Sequence, residues 1–205
     1  RLVDEFAGGD QLLKEDMGKL DVSAWSGATT PTWAEFGIKS IMMRDRNNAS
    51  VIIWGIGNEL FTANYVNNAT ARKKYPYIAA DLASWVHETD PQSRPATFGD
   101  NRTEPDNTTN LDKCQAEMDI TGINYAVGST WESLYKMFPE RPAFNTEGTD
   151  QCSNRGEYDH INLIKNGADD YRFTAYNNDL RDWAYYLGEG WNRILERDWF
   201  MGEFI

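Results

Sequence analysis

The chain has 205 residues, of which 40% are hydrophobic and 25% charged, and its formal net charge is −12 at pH 7. These values are typical of a globular domain that is large enough to bury a core. They argue against nucleic acid and anionic membranes as partners, because both need a positive patch and the basic residues cluster only at Arg72, Lys73 and Lys74. No apolar run reaches the roughly 18 residues of a membrane-spanning helix.

The chain alternates between apolar runs that are typical of strands and longer segments with helical periodicity. Strands are predicted at residues 2–6, 51–56, 95–99, 119–124, 142–146 and 200–205. Helices are predicted over roughly 31–46, 75–85, 131–138 and 180–194. Gly188 and Gly190 are expected to interrupt the last helix, and residues 99–119 are predicted to form a long loop with at most one short helix. This alternation predicts a parallel sheet covered by helices.

Six predicted strands fit either an open doubly wound sheet or part of a barrel. An open nucleotide-binding sheet should carry a glycine-rich turn after its first strand, but the sequence DEFAGGDQ lacks that spacing and contains acids that would repel phosphate. A (β/α)8 TIM barrel explains more, because its functional residues collect at the carboxyl ends of the strands. Polar side chains occupy such positions here: Asp4, Glu5, Asn58, Glu59, Asn124, Tyr125 and Glu147.

Two carboxylates, Glu59 and Glu147, follow apolar strands that lie three βα units apart in this prediction. Strands so separated face each other across the mouth of an eight-stranded barrel. Two carboxyl groups that share a pocket can divide the labour of glycoside hydrolysis, one as a protonated acid and the other ionised. A separation of about 5–5.5 Å gives retention of configuration and a wider gap gives inversion. The sequence spacing leaves both outcomes open.

Other chemistries fit the sequence less well. The chain contains only two histidines, His87 and His160, which are too few for a histidine-based zinc site, and no G-x-S-x-G elbow accompanies them. Its two cysteines, Cys114 and Cys152, form neither a metal knuckle nor a disulfide framework. Two free thiols would suit a reducing compartment and a cytoplasmic protein, while a single bridge between them and a secreted parent stay open as alternatives.

Several segments resemble glycoside hydrolase family 2, which includes β-galactosidases and β-glucuronidases. RDRNNASVIIWGIGNEL, residues 44–60, is similar to the family pattern R-D-R-N-H-P-S-V-I-x-W-S-x-G-N-E. TEGTDQCSNRGEY, residues 146–158, resembles the family's nucleophile segment. LVDEF, TAYNN and WFMGEFI add weaker likeness in the same order along the chain. The resemblance departs from the family at Asn48-Ala49, where His-Pro is usual, and at Gly148.

The resemblance implies a retaining, β-galactosidase-like hydrolase that acts on a β-linked oligosaccharide or galactoside. Glu59 is then the general acid/base, Glu147 the nucleophile and Asn58 a hydrogen-bond partner of the sugar 2-hydroxyl. Tyr125 would lie beside the nucleophile. Some members of the family bind Mg²⁺ near the acid/base, but no complete ligand set is identified in this chain, so no metal-binding residue is assigned.

The resemblance also implies an incomplete domain. Asp4 and Glu5 would lie at the rim of the sugar pocket, on the third barrel strand of the family. Residues 1–205 are therefore interpreted as about strands three to eight of a TIM barrel, a partial catalytic domain from a larger multidomain glycosidase. The isolated fragment is expected to be weakly active or inactive, and a homo-oligomeric parent is compatible with this interpretation.

Two alternatives stay open at this point. Another retaining β-glycosidase, such as a β-glucuronidase, a β-mannosidase or a cellulase-like enzyme, can place Asn-Glu and Glu on strands with the same spacing. A catalytically inactive barrel fragment is the second alternative, since missing strands would leave an unpaired sheet edge that invites association.

Overall fold

The computed structural model describes residues 33–59, 75–101, 111–125, 128–148, 155–156, 158 and 185–204. Helices and strands alternate throughout this part of the chain. In chain order they are α1 (Trp33–Asp45), β1 (Trp54–Asn58), α2 (Tyr75–Thr89), β2 (Ala96–Gly99), α3 (Leu111–Ala116), β3 (Thr121–Asn124), α4 (Gly128–Met137), β4 (Ala143–Glu147), α5 (Leu187–Leu195) and β5 (Phe200–Glu203). Every strand pairing among them is parallel, as the alternation predicts.

The described strands lie side by side in chain order. β1 pairs with β2, while β3, β4 and β5 form a three-stranded sheet in that order. Between the two sheets, the amides of Asp119 and Ile120 donate to the Ala96 carbonyl over 3.1 and 3.3 Å, and the Asn124 amide donates to the Asp100 carbonyl over 3.0 Å. The described strands therefore form two partial parallel sheets that meet along β2 and β3, and they do not close a barrel.

Two apolar clusters pack the helices onto these sheets. Burial of an aliphatic or aromatic side chain stabilises the fold by about 1.5–3 kcal/mol, so each cluster anchors the strands that it covers. The first cluster joins α1 and α2 to β1 and β2 through Ile38, Met42, Trp54, Ile56, Ile78, Leu82, Val86 and Phe98. The second joins α4 and α5 to β3, β4 and β5 through Ile123, Trp131, Leu134, Ala143, Ile194 and Phe200.

A buried ion pair fastens the loop that leads into β1. Asp90 Oδ2 accepts hydrogen bonds from Trp54 Nε1 and Arg94 Nε, each over 2.7 Å. The other guanidinium nitrogens of Arg94 donate to the carbonyls of Arg46 over 2.6 Å and Val51 over 3.1 Å. Because one cation holds carbonyls at both ends of the loop, the α1–β1 connection stays closed although the rigid His-Pro pair of the family is absent.

The predicted strands at 51–56, 95–99, 119–124, 142–146 and 200–205 are confirmed to within three residues at their ends. β1 begins only at Trp54, because the Val51 carbonyl accepts from Arg94 and not from a neighbouring strand. The predicted strand at 2–6, which carries Asp4 and Glu5, lies outside the described residues.

The expectation that glycines interrupt the last helix is wrong. α5 runs without a break through Gly188 and Gly190. Each glycine costs a helix about 1 kcal/mol, which the burial of Ile194 in the second cluster offsets. The segment 99–119 contains one short helix, α3. No helix within the described ranges is long and apolar enough to cross a membrane.

Candidate active site

The carboxyl ends of β1 and β3 meet through a side-chain amide. Asn58 ends β1 and Glu59 follows it, while Asn124 ends β3. The Asn124 Nδ2 donates to Asn58 Oδ1 over 2.8 Å and to Glu59 Oε1 over 3.1 Å. Asn124 itself is only 1% exposed, so its amide is held in place and orients both neighbours.

The next residue of the same strand end contacts the second carboxylate. The Tyr125 hydroxyl donates to Glu147 Oε2 at the end of β4. The Thr146 hydroxyl donates to Asn124 Oδ1 and so closes the network from the other side. Asn124, the last residue of β3, and Tyr125, which follows it, therefore link the carboxylate that follows β1 to the carboxylate that ends β4.

The backbone is strained at two of these residues. Glu59 has a φ of 44° and Tyr125 a φ of 53°, both in the left-handed region that residues other than glycine rarely adopt. The Glu59 amide donates to the Gly99 carbonyl over 2.8 Å, and the Tyr125 amide donates to the Glu147 carbonyl over 2.9 Å. Strain of this kind persists where surrounding contacts enforce it and is common at functional sites.

The pairing of the strands is also irregular near these residues. The register shifts between Gly55 and Asn58 on β1, and between Ile123 and Asn124 on β3. Irregularities of this type re-aim side chains and are common beside active sites.

Gly99 allows the strand ends to approach each other. A Cβ atom at this position would lie 2.9 Å from Thr146 Cβ and closer still to Thr146 Oγ1 and Asn124 Oδ1. Any side chain at residue 99 would therefore displace the Asn124 amide. The glycine is required by the close approach of β2 to the network.

Acidic groups dominate this end of the sheets. Acidic residues end or directly follow four of the described strands, namely Glu59, Asp100, Glu147 and Glu203, and no lysine or arginine occurs among the described residues 58–59, 99–101, 124–125, 147–148 and 203–204. Burial raises the pKa of Glu203. The described strand ends therefore offer a ligand acidic and neutral side chains and no cationic one.

The sequence predicted several residues of this strand-end network. Asn58, Glu59, Tyr125 and Glu147 were singled out as site residues, and the structure brings all four together. Asp4 and Glu5 lie outside the described residues. Sequence reasoning placed Asn124 at a strand end without assigning it a role, and it missed three polar side chains of the adjoining network: Asn145, Thr146 and Glu203. Their signal was a polar residue inside an apolar strand, which by itself does not specify a partner.

No metal centre is evident in the part of the chain that the structure describes. Within it, no group of three or more histidine, cysteine, aspartate and glutamate residues could hold a metal ion. The Mg²⁺ expected from the resemblance stays a prediction. Cys114 is buried and unpaired, and burial raises the pKa of its thiol, so it is not a reactive nucleophile.

Parallel strands alternating with helices, with polar side chains gathered at the carboxyl ends of the strands, are the pattern of an α/β protein such as a TIM barrel. The chain belongs to glycosyl hydrolases family 2, whose TIM barrel domain matches residues 2–178. This assignment confirms the predicted family and the TIM-barrel fold, of which the described strands form a part.

A curated relative and several solved structures are similar to the chain. Beta-galactosidase BoGH2A from Bacteroides ovatus is 25% identical over 207 residues, covering 84% of this chain and 24% of the relative. A β-glucuronidase from Ruminococcus gnavus in complex with D-glucaro-d-lactam superposes with a TM-score of 0.52 at 17% identity, covering 83% of this chain and 28% of that one.

A second solved structure shows a similar fold. A β-D-glucuronidase from Dictyoglomus thermophilum has a TM-score of 0.52 at 16% identity, covering 83% of this chain and 27% of that one. At this identity the two structures support the fold alone. The chain spans about a quarter of the length of the curated relative that it matches.

Proposed function

We propose that the chain forms part of a retaining β-glycosidase that releases β-linked galactose, with Glu147 as nucleophile and Glu59 as general acid/base. The observation that carries this proposal is a pair of hydrogen bonds from neighbouring residues: Asn124 donates to Glu59, and Tyr125 donates to Glu147. This pair links the carboxylate that follows β1 to the carboxylate that ends β4, and a double displacement needs two carboxylates in one pocket. Membership of glycosyl hydrolases family 2 supports the same reaction class.

The first step of the proposed reaction forms a covalent intermediate. A Glu147 oxygen attacks the anomeric carbon while Glu59 donates its proton to the leaving glycosidic oxygen. The Tyr125 hydroxyl binds Oε2 of Glu147, which makes Oε1 the attacking atom in this proposal. The negative charge of the Glu147 carboxylate stabilises the oxocarbenium-like transition state.

The second step releases the sugar. Glu59, now ionised, accepts a proton from a water molecule that attacks the anomeric carbon, and Glu147 leaves as a carboxylate. Two inversions at one carbon give overall retention. Asn58 Oδ1 accepts from Asn124, so its amide nitrogen is the group that we assign to the sugar 2-hydroxyl.

The choice of sugar rests on two arguments. The curated relative is a β-galactosidase, which favours a galactoside. A uronic acid would bring a carboxylate that needs a cationic partner, and the described strand ends carry only acidic and neutral side chains. A β-glucuronide is the second candidate, because the similar solved structures are β-glucuronidases.

A 2-fluoro galactoside that traps the covalent intermediate tests the mechanism in the complete protein. Mass spectrometry should locate the label on Glu147, and the Glu147→Gln variant should not be labelled. Glu140→Gln, an exposed glutamate at the opposite end of β4, is the matched control and should label normally. A label on any other residue would overturn the assignment of Glu147.

A panel of nitrophenyl β-glycosides tests the sugar. We expect the highest kcat/KM for the galactoside among the galactoside, glucuronide, mannoside and glucoside. A higher value for the glucuronide would overturn the substrate while leaving the mechanism intact.

A further inference from the structure

Three polar side chains lie close together beside the strand that carries Glu147. None of them has a part in the catalytic roles proposed above. Asn145 lies on β4 and is fully buried, Glu203 lies opposite it on β5, and Tyr185 precedes α5. One end of the Asn145 amide lies 2.9 Å from the Tyr185 hydroxyl and 3.4 Å from Glu203 Oε2. The three groups form a small polar cluster inside an otherwise apolar region.

The orientation of the Asn145 amide follows from its neighbours. Its other end faces two carbonyl oxygens, Ile123 O at 2.7 Å and Glu147 O at 2.9 Å. Only a nitrogen can donate to two carbonyls, whereas an oxygen there would be repelled by both. The nitrogen therefore faces Ile123 and Glu147, and the amide oxygen faces Tyr185 and Glu203.

This orientation favours a proton on Glu203. The Tyr185 hydroxyl donates its single proton to the Asn145 oxygen. Glu203 Oε2 lies 3.4 Å from the same oxygen, so a carboxylate there would place two acceptor oxygens side by side without a proton between them. A proton on Glu203 removes this repulsion.

We propose that Glu203 is a positioning residue, held as the neutral acid, that orients Asn145 and through it the backbone of Glu147. The part of this proposal that concerns catalysis rests on the proposed role of Glu147 as nucleophile. The part that concerns the proton on Glu203 does not.

The environment of Glu203 supports a neutral acid. Its Oε1 is shielded from solvent and has no hydrogen-bond partner among the described residues, a situation far more costly for a carboxylate than for an acid. Burial raises the pKa of Glu203, and burial also raises the pKa of Tyr185 to about 12, so the tyrosine remains a donor. The other titratable groups around the cluster are Glu147 on β4 and Glu189 and Arg193 on α5.

The cluster also accounts for Gly148, where the sequence departs from its family. A Cβ atom at residue 148 would lie 2.8 Å from Glu203 Oε2 and 2.6 Å from the Phe204 carbonyl. The Gly148 amide donates to that carbonyl over 2.6 Å, and the Phe204 amide donates to the Asn145 carbonyl over 2.9 Å. The Glu203 carboxyl group thus occupies space next to the backbone that follows Glu147.

Infrared spectroscopy of the complete protein tests the proton on Glu203. The difference spectrum of wild type minus Glu203→Gln should show the carbonyl band of a protonated carboxylic acid. We expect this band to persist above pH 4.5, the ordinary pKa of glutamate. A carboxylate band at and above that pH would overturn the proposal.

Kinetics of the same variants test positioning. Glutamine donates as the neutral acid does, so Glu203→Gln should keep kcat within about threefold. Glu203→Leu should lower kcat per folded enzyme by about 10- to 100-fold with little change in KM, because the nucleophile is displaced and not the binding groups. Glu140→Gln again serves as the control. An unchanged kcat for Glu203→Leu would overturn the positioning role.

The two experiments separate the possible failures. If Glu203→Leu does not fold, the infrared titration decides alone, since it needs only wild type and Glu203→Gln. If the 2-fluoro sugar labels a residue other than Glu147, the proposed function fails, while the infrared band still reports on Glu203.

Discussion

The Tyr125 hydroxyl donates a hydrogen bond to Glu147 Oε2 and so joins the end of β3 to the end of β4. The backbone of Tyr125 is left-handed, with a φ of 53°. A donor to an ionised oxygen stabilises the charged form of a carboxylate, which is the form that a nucleophile needs.

Replacing Tyr125 by Phe should therefore lower kcat by about 10- to 100-fold, because hydrogen bonds to charged groups are worth about 1.5–3 kcal/mol. The measurement is steady-state kinetics of the complete protein on a nitrophenyl β-galactoside. Tyr77→Phe on α2, where the side chain is 69% exposed, is the control and should be neutral. A change of less than twofold in Tyr125→Phe would show that the contact is not used.

Replacing Asn124 by Asp should lower kcat/KM by a similar factor. The substitution keeps the shape of the side chain but removes the nitrogen that donates to Asn58 and Glu59. It also places a second carboxylate against Glu59. Asn192→Asp on the exposed face of α5 adds the same charge away from the site and should leave kcat/KM unchanged. Equal values for the two variants would contradict the bridging role of Asn124.

Replacing Gly99 by Ala should lower activity and stability together. The added methyl group would overlap Thr146 and Asn124, and overpacking of this kind costs about 1–3 kcal/mol. Gly188→Ala is the matched control, because open space surrounds that position on α5 and alanine favours a helix. We expect thermal unfolding to show a lower Tm for Gly99→Ala and an unchanged or higher Tm for Gly188→Ala. The reverse order would be inconsistent with the close approach of β2.

The buried pair of Asp90 and Arg94 should contribute strongly to stability. Asp90→Asn leaves Arg94 buried without its partner, which costs about 3–5 kcal/mol. Urea unfolding of the complete protein at pH 7 measures the loss. Asp45→Asn, which removes an exposed pair with Arg44, should have little effect. A similar effect of the two substitutions would argue against this role of the buried pair.

The same pair predicts a dependence on pH. The hydrogen bond from Arg94 holds the pKa of Asp90 far below its ordinary value of 3.8. A depressed carboxylate pKa stabilises the fold above the unfolded-state value, and that stabilisation is lost as the pH falls below it. Wild type should therefore lose more stability than Asp90→Asn between pH 5 and pH 2. Parallel losses in the two proteins would contradict this explanation.

Some elements of the fold and of the site could be predicted from the sequence, and others could not. The strand that leads to Asn58 and Glu59 was predictable, because an apolar run followed by glycines and polar residues is a local pattern. The continuity of α5 through Gly188 and Gly190 was not, because packing of Ile194 against the sheet outweighs the weak helix propensity of glycine. The roles of Asn124, Asn145 and Glu203 were not predictable either, since a buried polar side chain has meaning only with its partners.

The sequence by itself indicated the alternation of strands and helices and the family, and it predicted Asn58, Glu59, Tyr125 and Glu147 as site residues. These depend on apolar periodicity and on short motifs, which are local properties of the chain. Only the tertiary structure decided that Asn124 bridges to Glu59, 65 residues away, and that Asn145 lies against Glu203, 58 residues away. Such contacts follow from the register of the parallel strands. The packing of the helices against the sheets sets this register, and no local sequence pattern specifies it.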